Sequence, residues 1–192
     1  MAVLVVATGN PGKLKEMQAY LTDGAWELHL KPADLEVDET GATFAENACL
    51  KASQVAQATG QWAIADDSGL AIDALGGAPG IYSARYAATE RACIDRVLQE
   101  LEGETNRTAQ FVCVIAIAQP DGTIAAQAEG ICPGEILLAP RGEGGFGYDP
   151  IFFVPEHNQT FAEMAPDLKH TISHRGRAFE ILQPQLTQLA HR

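Results

Sequence analysis

The first apolar run of the chain is continuous rather than periodic. Val3–Ala7 contains three valines in five residues, which predicts a strand buried on both faces. Asn10 and Pro11 follow as an N-cap and a first-turn proline, and apolar residues then recur at helical spacing up to Leu21. The pattern therefore predicts a strand, a turn and a helix at the start of the chain.

A second helical pattern begins at Thr43 and is the clearest in the chain. Thr43–Glu46 fits the capping box, in which a threonine and a glutamate three residues later satisfy each other's backbone donors. Apolar residues continue at helical spacing to Gly60, a typical C-terminal stop. The same periodicity predicts a third helix over Glu90–Leu101.

Several shorter stretches have the composition of strands. Trp62–Ala65 predicts a short buried strand that runs into Asp66–Gly69, and glycine-rich turns are expected to follow at Gly76–Gly80. Thr108–Gln119 and Thr123–Glu129 flank a Pro-Asp-Gly turn and predict a β-hairpin. Ile151–Val154 predicts one more short strand, which a capped turn follows.

A helix is expected to close the chain. It should begin at about His174, and Pro184 is expected to kink or split it. No internal repeat, low-complexity tract or long linker divides the sequence, so one domain over residues 1–192 is predicted. Strands that alternate with helices, together with the hairpin, predict an α/β protein with a mixed sheet.

Composition and charge narrow the possible functions. The chain is 46% apolar and 20% charged, and its formal net charge of −12 repels polyanions. A nucleic-acid or anionic-membrane binder is therefore not expected, whereas a small anionic substrate is possible where cations gather. The four cysteines are far apart, which predicts buried reduced thiols. The N-terminal apolar run is too short for a signal peptide or a membrane span, so we expect a cytoplasmic protein.

One candidate phosphate site lies between the first strand and the first helix. In Thr8–Lys13, backbone N–H groups, a helix dipole and a lysine can converge on a phosphate. The segment lacks the spacing of the P-loop and of the dinucleotide fingerprint. The alternative is a turn that needs Gly9 and Gly12 only for its backbone.

Carboxylates form a second candidate site. Asp66–Gly69 follows a predicted strand, where α/β folds place ligands, although an aspartate that caps a turn explains the pair equally well. Adjacent side chains point to opposite sides, so only one of the two aspartates can face a given site while the other bonds locally. Glu46 has a structural role in the capping box and Glu39 has none, which makes Glu39 the better ligand candidate. Oxygen ligands without histidine or cysteine suit Mg²⁺.

Cations and aromatic residues complete the set. Asn47 and Lys51 share one helix face, although Lys51 taken alone is better explained as a solvated helix lysine. Gly144–Asp149 carries two aromatic residues beside a carboxylate and could stack on a nucleobase, or serve only as a hinge. Ser173–Gly176 adds an imidazole and a guanidinium that suit a phosphate or oxo group. Three of the five lysines lie in or beside these motifs, which indicates a magnesium-dependent enzyme acting on a small phosphorylated nucleotide.

Together these motifs resemble the inosine/xanthosine triphosphate pyrophosphatase family, whose members convert non-standard purine nucleoside triphosphates such as ITP, dITP and XTP to the monophosphate and pyrophosphate. The resemblance covers the whole chain and is carried by Thr8–Lys13, Glu39–Gly41, Thr43–Ala48 with Lys51, Ala65–Leu70, Gly76–Tyr86, Gly144–Phe153 and Ser173–Gly176. It implies an elongated mixed α/β sheet with flanking helices, two lobes with a central substrate cleft, a homodimer and dependence on Mg²⁺.

The resemblance also implies a role for individual residues. Asp67 would accept a proton and, with Glu39, organise Mg²⁺. His174 and Arg175 would contact the base. The substrate-binding positions it implies are Thr8, Gly9, Asn10, Pro11, Gly12, Lys13, Lys51, Ser68, Phe146, Gly147, Tyr148, Asp149, Lys169, His174 and Arg175.

The chain departs from the family pattern in two places, and two other functions stay open. The segment between Tyr86 and Val97 is shorter than in many bacterial members, so no substrate contact is assigned to that loop, and Pro184 is unexpected within the final helix. A Maf-like pyrophosphatase acting on pyrimidine or modified-base triphosphates is one alternative, which a substrate panel would separate. A non-catalytic nucleotide-binding regulator is the other, and the presence of both Asp67 and Glu39 argues against it.

Overall fold

The computed structural model describes residues 2–21 and 26–190, whose strands form one mixed, open sheet. The strands are β1 (Ala2–Val6), β2 (Trp26–Leu30), β3 (Trp62–Ile72), β4 (Thr108–Ala118), β5 (Ile124–Ile136), β6 (Phe152–Val154) and β7 (Gln159–Thr160). Their order across the sheet is β2-β1-β3-β4-β5-β6-β7. β1 pairs in parallel with β2 and β3, whereas β6 pairs antiparallel with β5 and β7. The predicted α/β class with a mixed sheet is confirmed.

Five α-helices occur in the described part of the chain: α1 (Pro11–Tyr20), α2 (Phe44–Thr59), α3 (Glu90–Glu100), α4 (Pro166–Ile172) and α5 (His174–Ala190). The apolar pattern predicted α1, α2, α3 and α5, and missed only the short α4. Short 3₁₀ turns follow β3, precede α3 and follow β6. Within residues 2–21 and 26–190, no helix has both the length and the apolar character that a membrane span requires.

Local caps account for the beginning and end of the first two helices. Asn10 Oδ1 accepts the N–H groups of Gly12 and Lys13 at 2.9 and 3.2 Å, as predicted for an N-cap. Thr43 Oγ1 accepts the Glu46 N–H at 3.1 Å, but Glu46 Oε2 bonds the N–H of Ala42 instead of that of Thr43. α2 ends at Gly60 with a left-handed φ of 65°. The capping box is thus present with its return bond displaced by one residue.

β3 is longer than the sequence pattern predicts. The prediction ended this strand at Ala65, whereas β3 continues to Ile72 and makes Asp66–Gly69 part of the strand. Val6 and Ile64 form the last parallel pair of β1 with β3, but β4 flanks β3 on its other side. The two aspartates therefore lie just beyond the carboxyl end of β1 although they are in the middle of β3. The alternative in which an aspartate caps a turn before Gly69 is wrong.

Pro184 lies inside α5, which is not split. A proline removes the hydrogen bond to the carbonyl four residues earlier, here that of Glu180. Both residues are exposed, so water can hydrate the carbonyl that loses its partner. The predicted split is wrong for this reason.

The chain forms two compact units, and each has its own core. Unit 1 comprises residues 1–67, 113–130 and 175–192, and unit 2 comprises residues 68–112 and 131–174. In unit 1, Cys113, Ile115 and Ile117 of β4 pack in one apolar cluster with α1 and α5, and the alternate residues of β4 pack in another with α2. This alternation is the period of a strand buried on both faces.

The core of unit 2 contains apolar side chains of α3, of β5 and of several phenylalanines. Every second residue of β5 is buried, so one face of this strand packs into the core. Cys93, Cys113 and Cys132 are buried and Cys49 is half-buried, and all four thiols are free. The expectation of reduced thiols is confirmed. The expected burial is confirmed for three of the four cysteines, whereas Cys49 is only half-buried.

Candidate functional site

Lys51 of α2 is buried and joins two carboxylates in unit 1. Its Nζ lies 2.8 Å from Glu39 Oε1 and 3.2 Å from Asp67 Oδ1. Burial alone would lower the pKa of Lys51, but the charges of Asp66, Asp67 and Glu39 outweigh it and raise that pKa. A lysine whose side chain is only 7% exposed and has two partners is not a solvated helix lysine, so that interpretation is wrong.

Asp67 is held from two sides. Its Oδ1 faces Lys51, and its Oδ2 accepts the Nδ2 group of Asn47 at 3.2 Å, one helical turn before Lys51. Burial raises the pKa of Asp67, and the negative charge of Glu39 adds to this, while Lys51 and Lys13 oppose it without cancelling it. The result is a fixed carboxylate with an increased tendency to take up a proton.

Asn47 also positions the segment that carries Glu39. Its Oδ1 accepts the N–H of Gly41 at 2.8 Å. A Cβ on Gly41 would lie 2.6 Å from the Glu46 Cβ and 2.8 Å from that same Oδ1, so only glycine fits this close approach. Asn47 was noted beside Lys51 in the sequence but not assigned to the site, and the four-residue spacing was the available signal.

Asp66 points to a different set of partners. Its Oδ2 accepts Arg175 Nη2 at 2.9 Å and lies 3.1 Å from Lys13 Nζ, while Arg175 Nη1 pairs with Glu16. The carboxyl of Asp66 and the guanidinium of Arg175 are each only 1% exposed. Burial would raise the pKa of Asp66, but Lys13, Arg175 and Lys51 outweigh it and hold that pKa well below its usual range. Its Oδ1 is buried and has no hydrogen-bond partner among the described residues.

The two adjacent aspartates thus differ in ionisation. Asp66 lies between cations that lower its pKa and keep it ionised at neutral pH, whereas the pKa of Asp67 is raised and makes it the better proton acceptor of the two. Environments that separate the pKa values of neighbouring carboxyls are characteristic of catalytic sites. We call this set of unit 1 side chains the carboxylate–cation cluster, and it consists of Lys13, Glu16, Glu39, Asn47, Lys51, Asp66, Asp67 and Arg175.

The turn before α1 contributes mainly a lysine to this cluster. Thr8 Oγ1 accepts the Asn10 N–H at 3.1 Å, and Asn10 itself caps Gly12 and Lys13. A Cβ on Gly9 would meet nothing within 4 Å, so close packing does not require a glycine there. The alternative of a purely structural turn is not supported at Gly9.

A second set of predicted residues comes together in unit 2. Asp149 Oδ2 accepts both the Lys169 ammonium, at 2.7 Å, and the Phe146 N–H, at 2.9 Å. Lys169 Nζ also lies 4.8 Å from the centroid of the Phe146 ring and 5.6 Å from that of Phe161, both within cation–π distance. Gly145 has a φ of +71°, and a Cβ there would lie 2.0 Å from Asp149 Oδ2. The fold of this loop therefore depends on glycine.

Tyr148 links this loop to the Gly76–Tyr86 motif. Its buried hydroxyl donates to the carbonyl of Ser83 at 2.8 Å, and Ser83 Oγ accepts the N–H of Leu70 in β3 at 2.9 Å. The sequence pointed to this motif but assigned it no role. In the structure, Ser83 of the motif connects the Tyr148 hydroxyl to β3 and so helps to hold the loop in place.

The Ser173–Gly176 motif is divided between the two units. His174 stacks on Phe111, with ring centroids 4.7 Å apart and ring planes 12° apart, inside unit 2. Arg175 belongs to unit 1 and its guanidinium bonds Asp66 and Glu16. Ser68 is half-buried in β3. The predicted base contacts of His174 and Arg175 stay predictions.

The donor set of the carboxylate–cation cluster fits Mg²⁺. Among the described residues, no three His, Cys, Asp or Glu side chains form a ready-made metal site, but Mg²⁺ is commonly held by one or two carboxylates together with water and phosphate. Glu39 and Asp67 supply two such carboxylates at one lysine. Burial raises the pKa of the nearby Cys113 thiol to about 12, so it stays neutral and is not a soft ligand.

The fold and the cluster define an α/β protein with fixed carboxylates and cations at the carboxyl end of a parallel strand, where such folds place ligands. The model of the Ham1 family matches residues 4–185. A relative from Nostoc sp., named dITP/XTP pyrophosphatase, is 67% identical over 97% of this chain and 95% of its own. The solved structure of a HAM1 protein from Coxiella burnetii has a TM-score of 0.90 and 45% identity, and the match covers 98% of this chain and 100% of that one. The Staphylococcus aureus Ham1 protein gives a TM-score of 0.87 at 42% identity over 97% and 98%. The chain belongs to the Ham1 family.

Substitution of Asp66 should reveal its buried ion pairs. Because its pKa is depressed in the folded state, the stabilisation is fully present above the unfolded pKa of about 4 and is lost as the pH falls toward the folded value. Asp66→Asn should cost about 3–5 kcal/mol at pH 7, because Lys13 and Arg175 lose their buried counter-ion. We expect the difference in unfolding free energy between variant and wild type to shrink from pH 6 to pH 3.

Urea unfolding with EDTA present measures this difference. Asp95→Asn is the matched control, because Asp95 is paired with Arg91 at 2.9 Å but is 54% exposed. That control should change the unfolding free energy little at any pH. A cost for Asp66→Asn that is independent of pH would contradict the account.

Proposed function

We propose that this chain is a magnesium-dependent pyrophosphohydrolase that converts ITP, dITP and XTP to the nucleoside monophosphate and pyrophosphate, with residues 1–192 as one functional domain. The observation that carries the proposal is the pair of carboxylates, Glu39 and Asp67, on the buried Lys51. The relatives named dITP/XTP pyrophosphatase, at up to 67% identity, support the choice of substrate.

Glu39 and Asp67 would hold Mg²⁺, which supplies positive charge to the triphosphate oxygens when bound. The protein's own residues do the rest. A water molecule attacks the α-phosphorus in line, its proton passes to Asp67, and the bond from the α-phosphorus to the bridging oxygen breaks so that pyrophosphate leaves. In the metal-free protein, burial and the charge of Glu39 raise the pKa of Asp67, and a carboxylate with a raised pKa is the better general base.

The cations steady the phosphate charge. Lys13 and Lys51 would stabilise the negative charge that develops on the leaving pyrophosphate. Each is held before substrate arrives, Lys13 by Asp66 and Lys51 by Glu39 and Asp67. Fixed charges of this kind need no reorganisation during the reaction, and the backbone of Thr8–Lys13 would follow the phosphate chain beside them.

The loop of unit 2 would bind the base. Phe146 offers a ring face for stacking, and Lys169 with the backbone N–H groups of Gly147 and Tyr148 offers donors to a 6-oxo group. The N–H groups of Phe146 and Asp149 already donate within the loop. A 6-amino group would leave such donors unpaired, which rejects the wrong substrate strongly. The guanidinium of Arg175 is only 1% exposed and pairs with Asp66 and Glu16, so we propose that it holds Asp66 rather than the base.

Three further parts of the proposal concern partners and location, and only the homodimer rests on the family resemblance. We propose a homodimer and a cytoplasmic enzyme that does not bind nucleic acid, and the net charge of −12 supports the last point. The Maf-like alternative is not favoured, because the relatives between 48% and 67% identity share the name dITP/XTP pyrophosphatase.

The products of ITP hydrolysis test the reaction type. With Mg²⁺ present, wild-type protein should release IMP and pyrophosphate in equal amounts, because the bond at the α-phosphorus is broken. Ion-exchange chromatography separates IMP from IDP, and a pyrophosphate assay completes the balance. IDP with inorganic phosphate as the primary products would overturn the assignment.

Substrate selectivity tests the role of the loop donors. We expect kcat/KM for ITP to exceed that for ATP by at least about 100-fold, because the adenine 6-amino group would face donors. Steady-state kinetics under identical Mg²⁺ concentrations measure the ratio. Comparable turnover of the two nucleotides would refute the proposed recognition of the 6-oxo group.

Asp67→Asn tests the general base. The variant keeps the shape of the side chain but removes the proton acceptor, so kcat should fall by about 10²–10⁴-fold. Circular dichroism should show an unchanged fold, and Asp95→Asn, in an exposed pair, should retain wild-type kcat. Near-normal turnover by Asp67→Asn would mean that another group accepts the proton.

A further inference from the structure

We propose that Arg141 and Glu163 act as a positioning pair for the substrate loop, which we define as residues 142–149. Neither residue touches the groups assigned to the base, but together they fix the loop that carries Phe146 and Asp149. The inference rests on the proposed function in one respect, since it takes this loop as the part that binds the base.

The pair has bidentate geometry. Arg141 Nε lies 2.9 Å from Glu163 Oε1, and Arg141 Nη2 lies 2.8 Å from Oε2. Nη2 also donates to the carbonyl of Asn158 at 3.2 Å. The guanidinium carbon lies 5.1 Å from the centroid of the Phe153 ring. These contacts fix both the position and the plane of the guanidinium, which a lysine could not reproduce.

The backbone of Arg141 closes the loop at its base. Its N–H donates to the carbonyl of Pro150 at 2.8 Å, across the two ends of the loop. Its own carbonyl accepts Thr160 Oγ1 at 2.7 Å. Because one residue makes both contacts, a side-chain anchor on Arg141 also anchors the two ends of the loop.

Glu163 belongs to the segment on which the loop lies. Its Oε2 accepts the N–H of Thr160 at 2.8 Å, which fixes that segment. Gly144 N–H donates to the carbonyl of Ala162 at 3.0 Å, and Ala162 N–H donates to the carbonyl of Asp149 at 3.3 Å. A Cβ on Gly142 would lie 2.7 Å from the carbonyl carbon of Ala162. The loop therefore rests directly on the backbone at 162–163.

The Arg141–Glu163 pair is expected to affect the position of the loop more than the stability of the whole protein. The Arg141 and Glu163 side chains are 46% and 28% exposed, and such surface pairs contribute little to global stability. Within the loop, Asp149 Oδ2 lies 2.7 Å from Lys169 Nζ, and this contact depends on where the backbone places Asp149. A small displacement of a binding group can lower catalytic efficiency greatly. The pair should therefore affect binding of the base far more than unfolding.

Arg141→Lys and Glu163→Gln test the pair, since each removes the bidentate contact with little change in size. We expect KM for ITP to rise by about tenfold, with kcat within about twofold of wild type and the melting temperature nearly unchanged. The effects of the two single variants should not add in the double variant, because both remove the bond between Arg141 and Glu163. Arg91→Lys, in the exposed pair with Asp95 at 2.9 Å, is the matched control and should behave as wild type.

Hydrogen exchange provides a readout that does not depend on turnover. The amides of Gly144, Phe146 and Asp149 should exchange faster in Arg141→Lys and Glu163→Gln, and at the wild-type rate in Arg91→Lys. Unchanged exchange in the loop, an unchanged KM, or additive effects in the double variant would each overturn the inference. If wild type failed to hydrolyse ITP, the proposed function would fail, whereas loop exchange would still decide whether the pair holds the loop.

Discussion

Two adjacent aspartates are buried in the middle of β3, and the need to compensate their charge organises unit 1. A buried carboxylate without a cation is costly, so Asp66 and Asp67 must each be matched. α1 brings Lys13, α2 brings Lys51 and α5 brings Arg175, each from a different part of the chain. The three cations that compensate the buried aspartates thus also form a site in which charges of both signs have fixed positions.

The compensation is unequal, and the inequality has a chemical consequence. Cations surround Asp66 and keep it ionised, whereas Asp67 shares its lysine with Glu39 and its pKa rises. One aspartate thus acts as scaffold, and its neighbour is free to take part in proton transfer. Two residues of the same type have different roles because of their environments, which is the general way in which one fold tunes acid–base groups.

Local signals in the sequence were sufficient to predict where the helices begin. They were insufficient to predict the contacts around Asp66. The caps at Asn10 and Thr43 predicted where α1 and α2 begin, because a cap is a contact over two or three residues. The length of β3 could not be seen, since it depends on which strands flank Asp66. The pairs of Arg175 with Asp66 and Glu16 join residues 109 and 159 positions apart, and no local pattern encodes them. The family motifs include most members of the carboxylate–cation cluster but gave no sign that Arg175 bonds to carboxylates.

The central claim is that the carboxylate–cation cluster directs water to the α-phosphorus. Hydrolysis of ITP in ¹⁸O-labelled water, followed by mass spectrometry of both products, tests this most directly. The account predicts one ¹⁸O atom in IMP and none in pyrophosphate. Label in pyrophosphate with unlabelled IMP would show attack on the β-phosphorus and would contradict the account.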